Sequence, residues 1–152
     1  MYALDTNLLV YAHNTAAAFH AKSKAFVENV MNNRDADGSL AVCLPAQVLM
    51  EFLNVITWHR LEAPLPLPSA IQIVQDYVDT GVTILYHLPT QLETLLDIIK
   101  TVATRKKIFD VALAATLKDH GIPGLYTLNT KDFEEFTFLD AKNPFEHEKD
   151  YR

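Results

Sequence analysis

Four carboxylates stand where a folded chain has reason to avoid them. Glu51 falls among Val48, Phe52, Val55, Ile56 and His59, the apolar stripe of a helix expected from Pro45 to about His59. An unpaired carboxylate facing a core is costly to keep charged. Asp110 opens Asp110-Val111-Ala112-Leu113-Ala114-Ala115-Thr116-Leu117, a segment rich in small apolar residues that predicts a helix packed on most sides. Asp5 directly follows a short apolar strand, and Asp132 lies in Asn129-Thr130-Lys131-Asp132-Phe133. Each acid has an ordinary structural explanation. Glu51 can reach solvent or Arg60, Asp5 and Asp110 can cap helices, and Asp132 suits the first turn of a helix. Together they suggest something else. Carboxylates gathered at one strand edge repel and raise one another's pKa values. A divalent cation removes that conflict, and an all-oxygen donor set suits Mg²⁺ or Mn²⁺ rather than zinc. Such ions activate water and stabilise charge on a phosphoryl group during in-line displacement.

The elements that must bring these acids together follow from hydrophobic patterning. Strands are expected at 2–4, 40–44, 82–86 and 124–128, with a short fifth at 136–139. Between them lie a compact apolar helix or turn at 8–12 and helices at about 19–32, 45–59, 69–79, 90–103 and 109–119. The run Ala63-Pro64-Leu65-Pro66-Leu67-Pro68 reads as a stiff connector, because its prolines lack N–H donors and fix φ. Strands alternating with helices predict an α/β fold: a parallel sheet of about four to five strands flanked by helices. Ligands of such sheets collect at the carboxyl ends of the strands, the edge that carries Asp5, Thr127 and Asn129.

Length and composition set the outer bounds. The chain has 152 residues, 49% apolar and 21% charged, which predicts one ordinary globular domain. We expect residues 1–141 to form it and 142–152 to be a polar tail. No apolar run approaches the ~18–20 residues of a membrane span, so no membrane association is expected. The opening Met1-Tyr2-Ala3-Leu4-Asp5 lacks a basic region, so no cleaved signal peptide is expected. Cys43 is the single cysteine and excludes an intramolecular disulfide, consistent with a reducing cytoplasm. The net charge of −6 opposes nucleic-acid binding by long-range attraction alone. That objection weakens if some of the acids hold metal. No Gly-rich phosphate loop and no zinc-hydrolase histidine pattern is present.

Leu4-Asp5-Thr6-Asn7-Leu8-Leu9, Glu51, Phe109-Asp110-Val111-Ala112-Leu113-Ala114-Ala115 and Thr127-Leu128-Asn129-Thr130-Lys131-Asp132-Phe133 occur in order over nearly the whole chain. In this the sequence resembles PIN-domain ribonucleases, above all the toxin subunits of VapBC-type toxin–antitoxin pairs. The resemblance implies a three-layer PIN-like fold and a metal-dependent endonuclease that hydrolyses RNA with metal-activated water, leaving a 5′-phosphate and a 3′-hydroxyl. By position, Asp5, Glu51, Asp110 and Asp132 would hold one or two Mg²⁺ or Mn²⁺ ions. Thr6, Asn7, Thr127 and Asn129 would orient them. A homodimer and an antitoxin peptide inserted near the acids are also implied.

Arg105-Lys106-Lys107, just before Asp110, is the only run of three basic residues. It reads either as a solvated helix end or as a clamp for RNA phosphates beside the acids. Two other functions compete with the nuclease. One is a catalytically silent binding module on the same fold. The other is an acid-pocket phosphatase, which usually wants a second Asp where this chain has Asn7.

Overall fold

Short apolar segments, largely buried, form the three central strands of the computed structural model, which describes residues 1–146; the two edge strands are more exposed. The strands are β1 (Tyr2–Leu4), β2 (Val42–Pro45), β3 (Thr83–Leu85), β4 (Gly124–Tyr126) and β5 (Asp140–Lys142). All pair in parallel, in the order β3-β2-β1-β4-β5. Six helices connect them: α1 (Thr6–His13), α2 (His20–Asn32), α3 (Ala46–Ile56), α4 (Leu67–Asp79), α5 (Gln91–Thr101) and α6 (Ile108–Asp119). This is the expected α/β architecture, with β1 at the centre of the sheet.

The strand order reverses direction at β1. From β1 the chain steps outward to β2 and β3, then returns to place β4 on the other side of β1. Right-handed crossovers therefore put the first four helices on one face and α5 with α6 on the other, giving three layers. The crevice beyond the carboxyl ends of β1 and β4, where the reversal occurs, is where such sheets bind ligands. The core fills both faces with Leu4, Leu9, Leu44, Phe52, Ile56, Leu113, Leu117 and Leu125, all fully buried. In α6, six residues from Val111 to Leu117 are buried, so its small side chains let the backbone lie close to the sheet. Among the described residues, no helix is long and apolar enough to cross a membrane.

Several boundaries differ from expectation. Helix α4 begins at Leu67, inside the stretch 63–68 expected to be a connector, because Pro68 falls in its first turn, where its missing N–H costs nothing. Helix α3 ends at Ile56 rather than His59, because the chain turns at Thr57 and the Leu65 N–H donates to the Ile56 carbonyl at 2.9 Å. The fifth strand is 140–142, not 136–139. Phe133, Phe136 and Leu139 are all buried, but their backbones form successive i→i+3 turns: Phe136 N–H to Phe133 O at 3.1 Å and Leu139 N–H to Phe136 O at 3.0 Å. The apolar repeat there has the period of a tight turn rather than of a strand. Beyond 141, Lys142 completes β5, and the Phe145 ring stacks on Phe19 with centroids 6.3 Å apart. Residues 147–152 of the expected tail lie outside the described residues.

Candidate active site

The hydrogen-bond ladder between β1 and β4 runs one residue past the strand, with the Asp5 N–H donating to the Tyr126 carbonyl at 2.9 Å. Asp5 is thus fixed at the sheet's exit, in extended conformation, as the N-cap of α1. Its Oδ1 accepts the Thr6 N–H at 2.8 Å and its Oδ2 accepts the Thr127 hydroxyl at 2.7 Å. Thr127 is itself buried and held through its N–H by the Lys142 carbonyl at 3.0 Å. The Thr127 oxygen receives the Asn129 N–H at 3.1 Å and the Asn7 amide at 3.4 Å, so its own proton is left for Asp5.

Thr6 serves two acids. Its N–H meets Asp5, and its hydroxyl donates to Glu51 Oε2 at 2.8 Å. Glu51 Oε1 accepts the Gln47 side-chain amide at 3.2 Å, and the same Gln47 nitrogen donates to the Phe109 carbonyl at 2.8 Å. Glu51 therefore faces α1 and α6, while Arg60 is exposed elsewhere. Asp110 does not cap α6. Lys107 occupies the N-cap position, and Asp110 is the third helical residue. Asp132 lies in a short 3₁₀ helix, Thr130–Phe133, where its N–H donates to the Asn129 carbonyl at 3.1 Å.

These four acids, carried by β1–α1, α3, α6 and the 3₁₀ helix, line one open cavity of about 460 Å³ together with Thr6, Asn7, Asn129 and Lys107. Burial pushes the Asp5 carboxyl up to about 6, and the charges of Asp110 and Glu51 add to the rise against the two threonine hydrogen bonds. Asp110 is raised for the same reasons, burial first and then Asp132, with Lys107 opposing. No ion pair among the described residues involves any of the four acids.

The basic run is divided. Lys107 lines the acid cavity. Lys106 forms an ion pair with Glu135 at 2.8 Å, and Glu135 also accepts from the Thr104 hydroxyl at 2.8 Å and the Ala103 N–H at 3.3 Å. Arg105 borders a separate hollow beside Ile99 and Val102. The segment lies in the loop between α5 and α6, beyond the carboxyl end of α5 and running to the α6 N-cap, and of the three only Lys107 lines the acid cavity.

Among the described residues, no three Asp, Glu, His or Cys side chains close into a ready-made coordination shell. Mg²⁺ keeps several waters and is held by one or two carboxylates together with substrate phosphates, so an open carboxylate-lined cavity is adequate for it. The negative charge of Asp110 and Glu51 around the buried Asp5 is what a cation in this cavity would offset.

The residue missed by the sequence reading is Gln47. Its position one turn before Glu51 was visible, but its second partner, Phe109, lies 62 residues away. Nothing local signals that contact.

The family model for the PIN domain matches residues 2–139. The chain is 29% identical over 146 residues to the Mycobacterium tuberculosis protein Ribonuclease VapC24, covering 95% of this chain and 97% of that one. Its fold is similar to the crystal structure of M. tuberculosis VapC20, described as a Sarcin-Ricin loop cleaving toxin. There the TM-score is 0.68 at 15% identity, covering 94% of this chain and 100% of the other. A toxin–antitoxin complex from Klebsiella pneumoniae is similar with a TM-score of 0.64 at 18% identity, covering 96% and 99%.

Proposed function

The chain belongs to the PIN-domain family, and from that premise we propose that it is a divalent-metal-dependent endoribonuclease, the toxin of a toxin–antitoxin pair. One observation carries the reading. Four carboxylates from separate elements share a cavity at the sheet's switch point, and among the described residues Lys107 is the only cationic side chain lining it with them.

In this reading Asp5, Glu51, Asp110 and Asp132 hold Mg²⁺ or Mn²⁺, which when bound supplies an activated water and neutralises charge on the phosphoryl oxygens. Thr127 and Thr6 fix the two Asp5 oxygens, so the carboxylate cannot rotate away as substrate enters. Thr6 also fixes Glu51, and Asn7 and Asn129 hold Thr127 in place. Lys107 offers a cation to an RNA phosphate at the cavity's rim.

The partners in this reading are RNA, an antitoxin and a second copy of the chain. The antitoxin is supported by the likeness to toxin–antitoxin complexes, and the second copy by a largely apolar groove of about 420 Å³ between α3, α4 and β3, bordered by exposed Met50, Val78 and Tyr86. Light scattering on the antitoxin-free protein tests the second copy, and a monomer at micromolar concentration argues against it.

The test of the activity is incubation of a mixed RNA pool with antitoxin-free protein in Mg²⁺, Mn²⁺ or EDTA, beside Asp5→Asn. We expect cleavage that requires both metal and Asp5. If no divalent ion supports cleavage, the silent binding module becomes the better reading. Hydrolysis of a small chromogenic phosphate ester instead would identify a phosphatase.

A further inference from the structure

We propose that Gln47 is a positioning residue that sets the distance between Glu51 on α3 and Asp110 on α6, and so determines how well the acid cavity holds a divalent cation. The inference rests on the metal-site reading above and adds to it a residue outside the acid set.

A Gln one turn before a Glu on a helix often makes a simple surface pair of small energetic value. Gln47 does more, because both hydrogens of its amide nitrogen are used. One meets Glu51 Oε1 at 3.2 Å, and the other meets the Phe109 carbonyl at 2.8 Å. The orientation of the amide is forced, since the reversed amide would set its oxygen against two acceptors. The carbonyl it grips belongs to the residue immediately before Asp110, in the first turn of α6. First-turn amide groups define where that turn sits, so a donor anchored on α3 fixes the α6 entry relative to Glu51. With Thr6 on Oε2 and Gln47 on Oε1, both Glu51 oxygens are aimed, and each holder reaches a different ligand-bearing element: Asp5 through Thr6, Asp110 through Gln47. Groups that orient metal ligands in this way affect metal affinity by about 10–100-fold when removed.

The experiment is Mn²⁺ titration of the full chain, followed by electron paramagnetic resonance of the free ion, for wild type, Gln47→Met, Glu51→Gln and the double variant. Melting in EDTA accompanies each to show that the fold is kept. Gln47→Met keeps the length of the side chain and removes both donors; Gln47→Ala replaces it if it fails to fold. We expect Gln47→Met to weaken Mn²⁺ binding by about 10-fold or more with little change in EDTA melting. In the Glu51→Gln background the same change costs clearly less than in wild type, because one of the two ligands whose spacing Gln47 sets is already lost. Unchanged Mn²⁺ affinity in Gln47→Met overturns the inference, and so does an equal loss in both backgrounds. Failure of wild type to bind Mn²⁺ at all overturns the metal-site reading itself, a result distinct from the other two.

Discussion

Asp5 and Asp140 stand at opposite ends of one parallel sheet, and their surroundings push their carboxyls in opposite directions. Asp140 begins β5, in register with Gly124 and Tyr2 at the amino ends of the strands. It accepts the Tyr2 hydroxyl and pairs with Lys142 at 3.3 Å, which holds it below the usual carboxylate range. Asp5 leaves the carboxyl end of β1, is buried among other acids, and is pushed up to about 6. The first acid is satisfied by its own neighbours and needs nothing more. The second has hydrogen-bond donors but, among the described residues, no ion pair, and that shortfall distinguishes a site from a surface.

The contrast breaks first on activity. Asp5→Asn lowers RNA cleavage in Mn²⁺ by about 10³-fold or more, since it removes a charge from the metal site, whereas Asp140→Asn stays within about twofold. Equal losses in initial rate would erase the distinction.

It is sharpened next by pH. The folded Asp5 titrates at about 6 against a reference value of 3.8. Its neutral form is therefore favoured by folding, and that contribution is complete below about pH 4 and lost as pH rises through 6, a total of roughly 3 kcal/mol. Melting temperature in EDTA therefore falls between pH 4 and pH 7, and Asp5→Asn flattens the decline. Asp140 has the opposite sign: its lowered pKa contributes stability above the unfolded value, and this is lost only as pH falls through the folded one. Calorimetric scans across pH 3–8 separate the two.

At the Asp140 end the sensitive position is Gly124. A β-carbon there would overlap the Tyr2 ring, which lies across it. Gly124→Ala destabilises by about 1–3 kcal/mol as the ring is displaced, while cleavage measured well below the melting point is retained. The smallest effect compares two adjacent lysines. Lys107→Gln raises KM for RNA by about two- to fivefold, through loss of a phosphate contact worth about 1 kcal/mol or less, and Lys106→Gln leaves KM unchanged because Lys106 is already paired with Glu135.

Much of this was legible in the sequence, for physical reasons. The order of strands and helices follows from apolar periodicity, and the acids stood out because carboxylates beside buried segments are costly. The grouping of Thr6, Asn7, Thr127 and Asn129 around Asp5 came from resemblance, and the geometry supplies its physical basis: the Thr127 hydroxyl accepts from Asn7 and Asn129 and donates its hydrogen bond to Asp5, while Thr6 meets Asp5 through its N–H. What remained hidden depends on distant contacts. The assignment of Arg105, Lys106 and Lys107 to three different surroundings depends on Glu135, some thirty residues away, whose partners no local pattern announces. The fifth strand was misplaced because Phe136 and Leu139 are buried as a strand's residues would be, while their backbones turn.

The central position of β1 also governs when the acids can meet. Tyr2 pairs with Gly124 and Leu4 with Tyr126, and Asp5 is held by Thr127, 122 positions away. Contacts this distant in sequence close slowly. No local segment can therefore gather the acids by itself: the set exists only once β1 and β4 have docked, so the site is lost with the fold rather than before it.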